Sequence, residues 1–199
     1  MGNWPYPRSR GIALSATFAA LISVASPVSI PLGPITQVPI TLQVFFVYLA
    51  GALLGARYGA LSMVIYLVLG AVGLPVFAGP SFGTAVLLGY TGGYLFAFPI
   101  ASLLGGYVAR RRPATRRDDM IRISLSVLLS LLVIYAIGVP WLSYYFGLSL
   151  RDGILSGAVP FIPLDLLKAV VAVPIAVRLR WSTLQLPVNT GGPEQGAQQ

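Results

Sequence analysis

Residues 40–73, ITLQVFFVYLAGALLGARYGALSMVIYLVLGAVG, contain one charged side chain, Arg57. The short break Gly55-Ala56-Arg57-Tyr58-Gly59 divides the stretch into two apolar segments, Ile40 to Leu54 and Ala60 to Gly73. Each is short for a full membrane span of about 20 residues, although flanking residues can extend both. The rest of the chain repeats the pattern. Of its 199 residues 56% are hydrophobic and 9% charged, whereas roughly a quarter of a soluble domain is charged. So much apolar surface requires lipid around it. The 22 Gly and 16 Pro suit membrane helices, in which both are comparatively frequent.

Outward from this stretch, Arg8 and Arg10 precede an apolar segment from Gly11 to about Pro27. That layout fits a signal peptide, with Val24 and Ser26 imitating a cleavage site, but the membrane-length segments that follow favour a retained helix. The connection Pro27–Pro39 is uncharged and carries four prolines. Leu74–Gly83 (LPVFAGPSFG) is also uncharged, and such backbone is tolerated at membrane depth only under protein or beside a cavity. Further helices are predicted over Thr84–Val108, Ile121–Tyr145 and Pro163–Val177, the last after a Pro-broken segment. Residues 187–199 read as a disordered tail, leaving residues 1–186 as one membrane domain. The fold class is therefore an all-α integral membrane protein with six transmembrane helices and both termini cytoplasmic.

Charge placement supports this orientation. With both ends inside, the inner side receives eleven of the thirteen basic residues: Arg8, Arg10, Arg57, the Arg110–Arg122 group, Arg178 and Arg180. Only Arg151 falls outside, and Lys168 lies within a helix. This positive-inside bias explains the net charge of +8 without nucleic acid as a partner. With no His and no Cys, thiol chemistry is excluded and metal sites lose their commonest ligands, so no metal site and no cofactor are expected. No GxxxxGK(S/T) motif occurs, no nucleophile arrangement is evident, and the chain does not read as an enzyme.

Pro163-Leu164-Asp165-Leu166-Leu167-Lys168 carries the most information about function. Two ionisable groups in an apolar stretch are costly unless paired, ligand-bound or facing water, and a spacing of three puts them on one helix face. Asp165 also lies where the helix dipole stabilises a carboxylate. Two readings stand: a salt bridge that fixes the helix end, or the polar end of a binding pocket. The outward position of this end favours the pocket. Gln43 and Tyr94 lie near the outer ends of their helices and offer hydrogen bonds; Ser81, Phe82 and Tyr90 are weaker candidates. Small residues four apart, Ala16 with Ala20 and Gly51-Gly55-Gly59, permit close helix contacts or docking of another membrane subunit.

Four stretches together resemble the BioY family, the biotin-binding S components of energy-coupling-factor (ECF) transporters. They are VPITLQVFFVYLAGALLG (38–55), GALSMVIYLVLGAVGLPVFAG (59–79), LLGYTGGYLFAFP (87–99) and FIPLDLLKAVVA (161–172), and they occur in the family's order. The resemblance implies a six-helix fold in a bacterial plasma membrane, with a biotin pocket opening outward. It also implies a transmembrane coupling subunit and two ATPase subunits as partners. By motif match Asp165 and Lys168 look like the pair that meets biotin's polar groups, Ser81 a ligand-facing position, and Gln43 and Tyr94 positions near the pocket. Ala16 and Ala20 match the pattern with which S components dock the coupling subunit. Tyr90 stands where the family usually has proline, and Pro80 and Phe82 replace common glycines, which places Tyr90 and Phe82 near the expected pocket lid. Alternatives are uptake of another small heterocyclic vitamin, or a structural membrane subunit in which Asp165 and Lys168 merely pair.

Overall fold

A computed structural model describes residues 8–33, 36–110 and 115–184; the expected tail at 187–199 lies outside the described residues. In chain order the elements are α1 (Arg8–Ala25), β1 (Ser29–Ile30), β2 (Ile40–Thr41), α2 (Gln43–Ala71), α3 (Thr84–Leu88), α4 (Gly92–Ala109), α5 (Arg116–Phe146), α6 (Leu150–Gly157) and α7 (Ile162–Leu184). By length and hydropathy α2, α4 and α5 can each cross a membrane, and α6 with α7 forms a further pair bent by 52°. Large apolar side chains cover the outer faces, with Leu132 and Val170 among the most exposed. This is the arrangement of a helix bundle solvated by lipid.

The helix α2 is not straight. Gly55 has φ +73° and ψ −178°, a conformation that costs glycine little and other residues much. The two arms fold back on each other there. Gln43 and Tyr66 are joined by a hydrogen bond of 2.7 Å, though a straight helix would hold them about 35 Å apart. The break anticipated at Gly55–Gly59 is thus a reversal centred on Gly55, and the helical arms run from Gln43 and to Ala71. Against this hairpin lies α4. A Cβ at Gly106 would collide with the backbone of Gly55 and Ala56, and one at Gly51 would meet the Ser102 carbonyl at 2.9 Å. Backbone-to-backbone approach of this kind maximises dispersion contact where no hydrophobic effect drives helix association.

Polar side chains stitch the remaining helices. Ser126 and Ser130 of α5 donate to the Gly105 and Ala101 carbonyls of α4, at 2.7 and 3.0 Å. Thr115 caps α5 by accepting from the Asp118 amide, the usual role of a hydroxyl at that position. Gly147 ends the helix in the left-handed region. Two apolar clusters fill the interior. One lies among α1, the second arm of α2 and α4, around Ile22, Met63, Tyr66 and Phe98. The other lies where the first arm of α2 meets α5 and α7, around Tyr48, Ile123 and Ala172.

Two expectations about boundaries require correction. The helix expected over Thr84–Val108 is two elements, α3 and α4, separated at Gly89–Thr91. The Gly89 carbonyl at this break accepts from the Gly92 amide at 3.0 Å and from the Trp141 indole N–H of α5 at 2.8 Å. The segment expected to be helical from Ile40 becomes so only at Gln43: Ile40 and Thr41 form β2, which pairs antiparallel with β1, Ser29 opposite Thr41 and Ile30 opposite Ile40.

Candidate functional site

The start of α7 places Asp165 and Lys168 on one face, as their spacing of three requires. Lys168 Nζ lies 2.7 Å from Asp165 Oδ1, with side-chain exposures of 14% and 6%. The second carboxylate oxygen is also engaged, since Tyr135 of α5 donates its hydroxyl to Asp165 Oδ2 at 2.7 Å. One carboxylate therefore accepts from an ammonium and a phenol. Charge-assisted bonds of this kind are about twice as strong as neutral ones, and a buried ionised group requires them.

This cluster closes one side of a partly open cavity lined by polar and apolar side chains. Thr41, Gln43 and Tyr94 supply further polar groups, while Val44, Phe98, Ile134 and Phe161 supply apolar wall. Residues from six parts of the chain meet here: the β2 segment, the first arm of α2, α4, α5, the end of α6 with the connection after it, and α7. Tyr94 donates to the Gly157 carbonyl at 2.8 Å, which fixes the end of α6 against the cavity. Gln43 accepts from the Thr41 hydroxyl at 2.9 Å and donates to Tyr66 at 2.7 Å. An apolar chamber with an acid, a base and a few hydroxyls at one side suits a compact heterocycle with polar edges.

Four of the residues singled out from sequence, Asp165, Lys168, Gln43 and Tyr94, line this one cavity. Ser81, Phe82 and Tyr90 are not brought to it. Ser81 turns its hydroxyl back to the Ala78 carbonyl at 2.8 Å, Phe82 is 57% exposed, and Tyr90 packs against Tyr145 and Phe146. Ala16 and Ala20 lie on the exposed face of α1, while Ser15 and Ala19 face inward. Sequence reasoning missed Tyr135 and Thr41. A lone tyrosine in an apolar helix reads as an interface anchor, and its hydrogen-bond partner lies 30 positions away. Thr41 falls in the apolar segment expected over Ile40 to Leu54, where a lone threonine carries a weak signal.

A second buried ion pair lies at the opposite end of the bundle. Arg180 near the end of α7 meets Asp119 of α5 at 3.4 Å, and donates to the carbonyls of Ala109 and Ala52 at 2.7 and 3.2 Å. Asp119 is fully buried. The α1 start joins the same end, where Ser15 donates to the Tyr58 carbonyl at 2.9 Å.

Comparison with known proteins identifies the family and the fold. A profile of the BioY family matches residues 3–185. A probable biotin transporter BioY of Pyrococcus horikoshii is 46% identical over 176 residues, covering 88% of this chain and 99% of that protein. A biotin transporter BioY of Thermotoga maritima is 44% identical over 86% of this chain and 96% of its own length. Among solved structures, the crystal structure of an S-component for biotin from an ECF-type ABC transporter superposes with a TM-score of 0.77. It is 31% identical, with 90% of this chain and 95% of that chain covered.

Proposed function

This chain belongs to the BioY family, and from that premise we propose that it captures biotin at high affinity as the substrate-specific S component of an ECF-type transporter. The observation that carries the reading is the cluster of Asp165, Lys168 and Tyr135 set in the wall of an otherwise largely apolar cavity. Biotin combines an apolar bicycle with a ureido group and a carboxylate, so it needs apolar walls and a few fixed polar anchors. Asp165 accepts a ureido N–H, and Lys168 donates to a ligand oxygen. Tyr135 holds the carboxylate in place while Lys168 moves from Asp165 to the ligand. Gln43 and Tyr94 border the ligand, and Val44, Phe98 and Phe161 enclose its ring and tail. Ser81, Phe82 and Tyr90 belong to the outer cover rather than the cavity wall.

The chemistry is reversible binding with no covalent change. ATP hydrolysis resides in two separate subunits, and a transmembrane coupling subunit docks on the α1 face that exposes Ala16 and Ala20. In the membrane the chain crosses six times with both termini cytoplasmic, the two arms of α2 counting as separate crossings. The gathering of Arg57, Arg110, Arg116 and Arg178 at the end opposite the cavity supports this orientation. Equilibrium binding of biotin to the detergent-purified protein tests the central reading. We expect one-to-one binding that weakens about 100-fold, some 2.7 kcal/mol, in folded Lys168→Ala and Asp165→Ala variants. Absence of binding by folded wild type would sink the assignment and redirect the search to other heterocyclic vitamins.

A further inference from the structure

One phenol joins two connections at the cavity end of the bundle. Tyr66, on the second arm of α2, is fully buried, and its ring meets Phe77 edge to face at 5.6 Å. Its hydroxyl lies 2.7 Å from Gln43 Nε2, 2.8 Å from Ser26 Oγ and 3.1 Å from the Val76 carbonyl oxygen. A phenol has one proton to donate and two lone pairs. The Val76 carbonyl can only accept and the Gln43 amide nitrogen can only donate, so Tyr66 donates to Val76 and accepts from Gln43. The remaining lone pair takes the Ser26 hydroxyl proton, and the phenol is saturated.

The bonds consequently run in one direction. Thr41 donates to Gln43 Oε1, Gln43 donates to Tyr66, and Tyr66 donates to Val76. The first two residues border the cavity, and Thr41 is also paired with Ser29 in the two-stranded ladder. The last belongs to the second cover, Val72–Gly83. That segment is closed by a bond from the Gly83 amide to the Gly70 carbonyl at 2.8 Å and one from the Phe77 amide to the Ser81 carbonyl at 3.0 Å. The covers also abut directly, for a Cβ at Gly79 would lie 3.8 Å from Ser29 Oγ.

We infer that Tyr66 is a positioning residue for ligand capture, joining the ladder cover to the 72–83 cover so that the two close and release as one unit. It touches no ligand. It acts through Gln43, whose amide is already committed on both of its ends and so serves the ligand by holding Thr41 and the cavity rim in register. A phenol placed only for packing would be replaced by phenylalanine with equal loss whether or not ligand is present. A joint makes a different demand: a disturbance of one cover must reach the other, and must stop reaching it when the hydroxyl is gone.

The inference rests on reading the cavity as the biotin site, and the test keeps the two separable. Amide hydrogen exchange on the full chain in detergent, without ligand, compares wild type, Thr41→Val, Tyr66→Phe and the double variant. Thr41→Val is expected to raise exchange at the Phe77 and Gly83 amides several-fold in wild type and to add nothing in the Tyr66→Phe background. Tyr66→Phe alone removes three neutral hydrogen bonds and is expected to speed exchange in both covers and to release biotin about tenfold faster. If Tyr66→Phe fails to fold, Gln43→Leu cuts the same chain one link earlier and carries the same comparison. Exchange at Phe77 and Gly83 indifferent to Thr41→Val would overturn the joint, as would biotin release at the wild-type rate from Tyr66→Phe. Wild type that binds no biotin retires the ligand assignment, while the exchange measurements still decide the joint.

Discussion

The two ends of α7 carry the same chemistry to opposite effect. Near its start Lys168 pairs with Asp165 at 2.7 Å, and near its end Arg180 pairs with Asp119 at 3.4 Å. The first ion pair lies within one helix turn, reaches α5 only through the neutral Tyr135 phenol, and borders open space. The second joins α7 to α5, and the same guanidinium reaches carbonyls of α2 and α4. What distinguishes a binding site from a brace is therefore not the presence of buried charge. It is whether the partners span elements and whether a cavity lies beside them.

Removing the brace should have the largest effect. Arg180→Met leaves Asp119 buried without its cation and frees two carbonyls, which should cost about 3–5 kcal/mol. The check is thermal unfolding in detergent, and the biotin affinity of the folded remainder should stay near wild type. Lys168→Met breaks the comparison from the other side. Binding should weaken about 10- to 100-fold, the range expected for a charged hydrogen bond, while the melting temperature moves far less than in Arg180→Met because the cavity can hydrate Asp165. Equal destabilisation by the two variants would remove the distinction. A smaller effect is expected from Tyr135→Phe, about tenfold in affinity, read by the same binding measurement. The smallest belongs to Tyr90→Ala. That ring packs on Tyr145 and Phe146, so about 0.5–1.5 kcal/mol of stability should be lost with affinity unchanged within about twofold.

The same contrast explains what was legible in the sequence. Asp165 and Lys168 stand out because an acid and a base three residues apart in an apolar helix have few inexpensive uses. The reversal at Gly55 is announced by a glycine-flanked break. The division between α3 and α4 is not, and the second bond to the Gly89 carbonyl comes from an indole 52 positions away. Tyr135 is hidden for the same reason: its meaning lies in a partner on another helix. Ser81 misleads in the other direction, because a hydroxyl that bonds back to the carbonyl three residues earlier completes a local turn and leaves little for a ligand. Sequence reading works where the signal is local cost, and weakens where a residue's role is assigned across the bundle.

The reversal within α2 also bears on how the protein enters its membrane. The arm from Gln43 to Leu54 rises only about 18 Å, well short of a hydrocarbon core of about 30 Å. The extended residues Ile40 and Thr41 lengthen it at roughly 3.3 Å each, held by pairing with Ile30 and Ser29 of β1, and the Gln43 side chain at the start of the arm finds its acceptor only once the second arm has brought Tyr66. Neither arm is a self-sufficient insertion signal. The segment emerging from the ribosome would have to be retained until residues past Tyr66 are made, and then partition into lipid as a preformed hairpin.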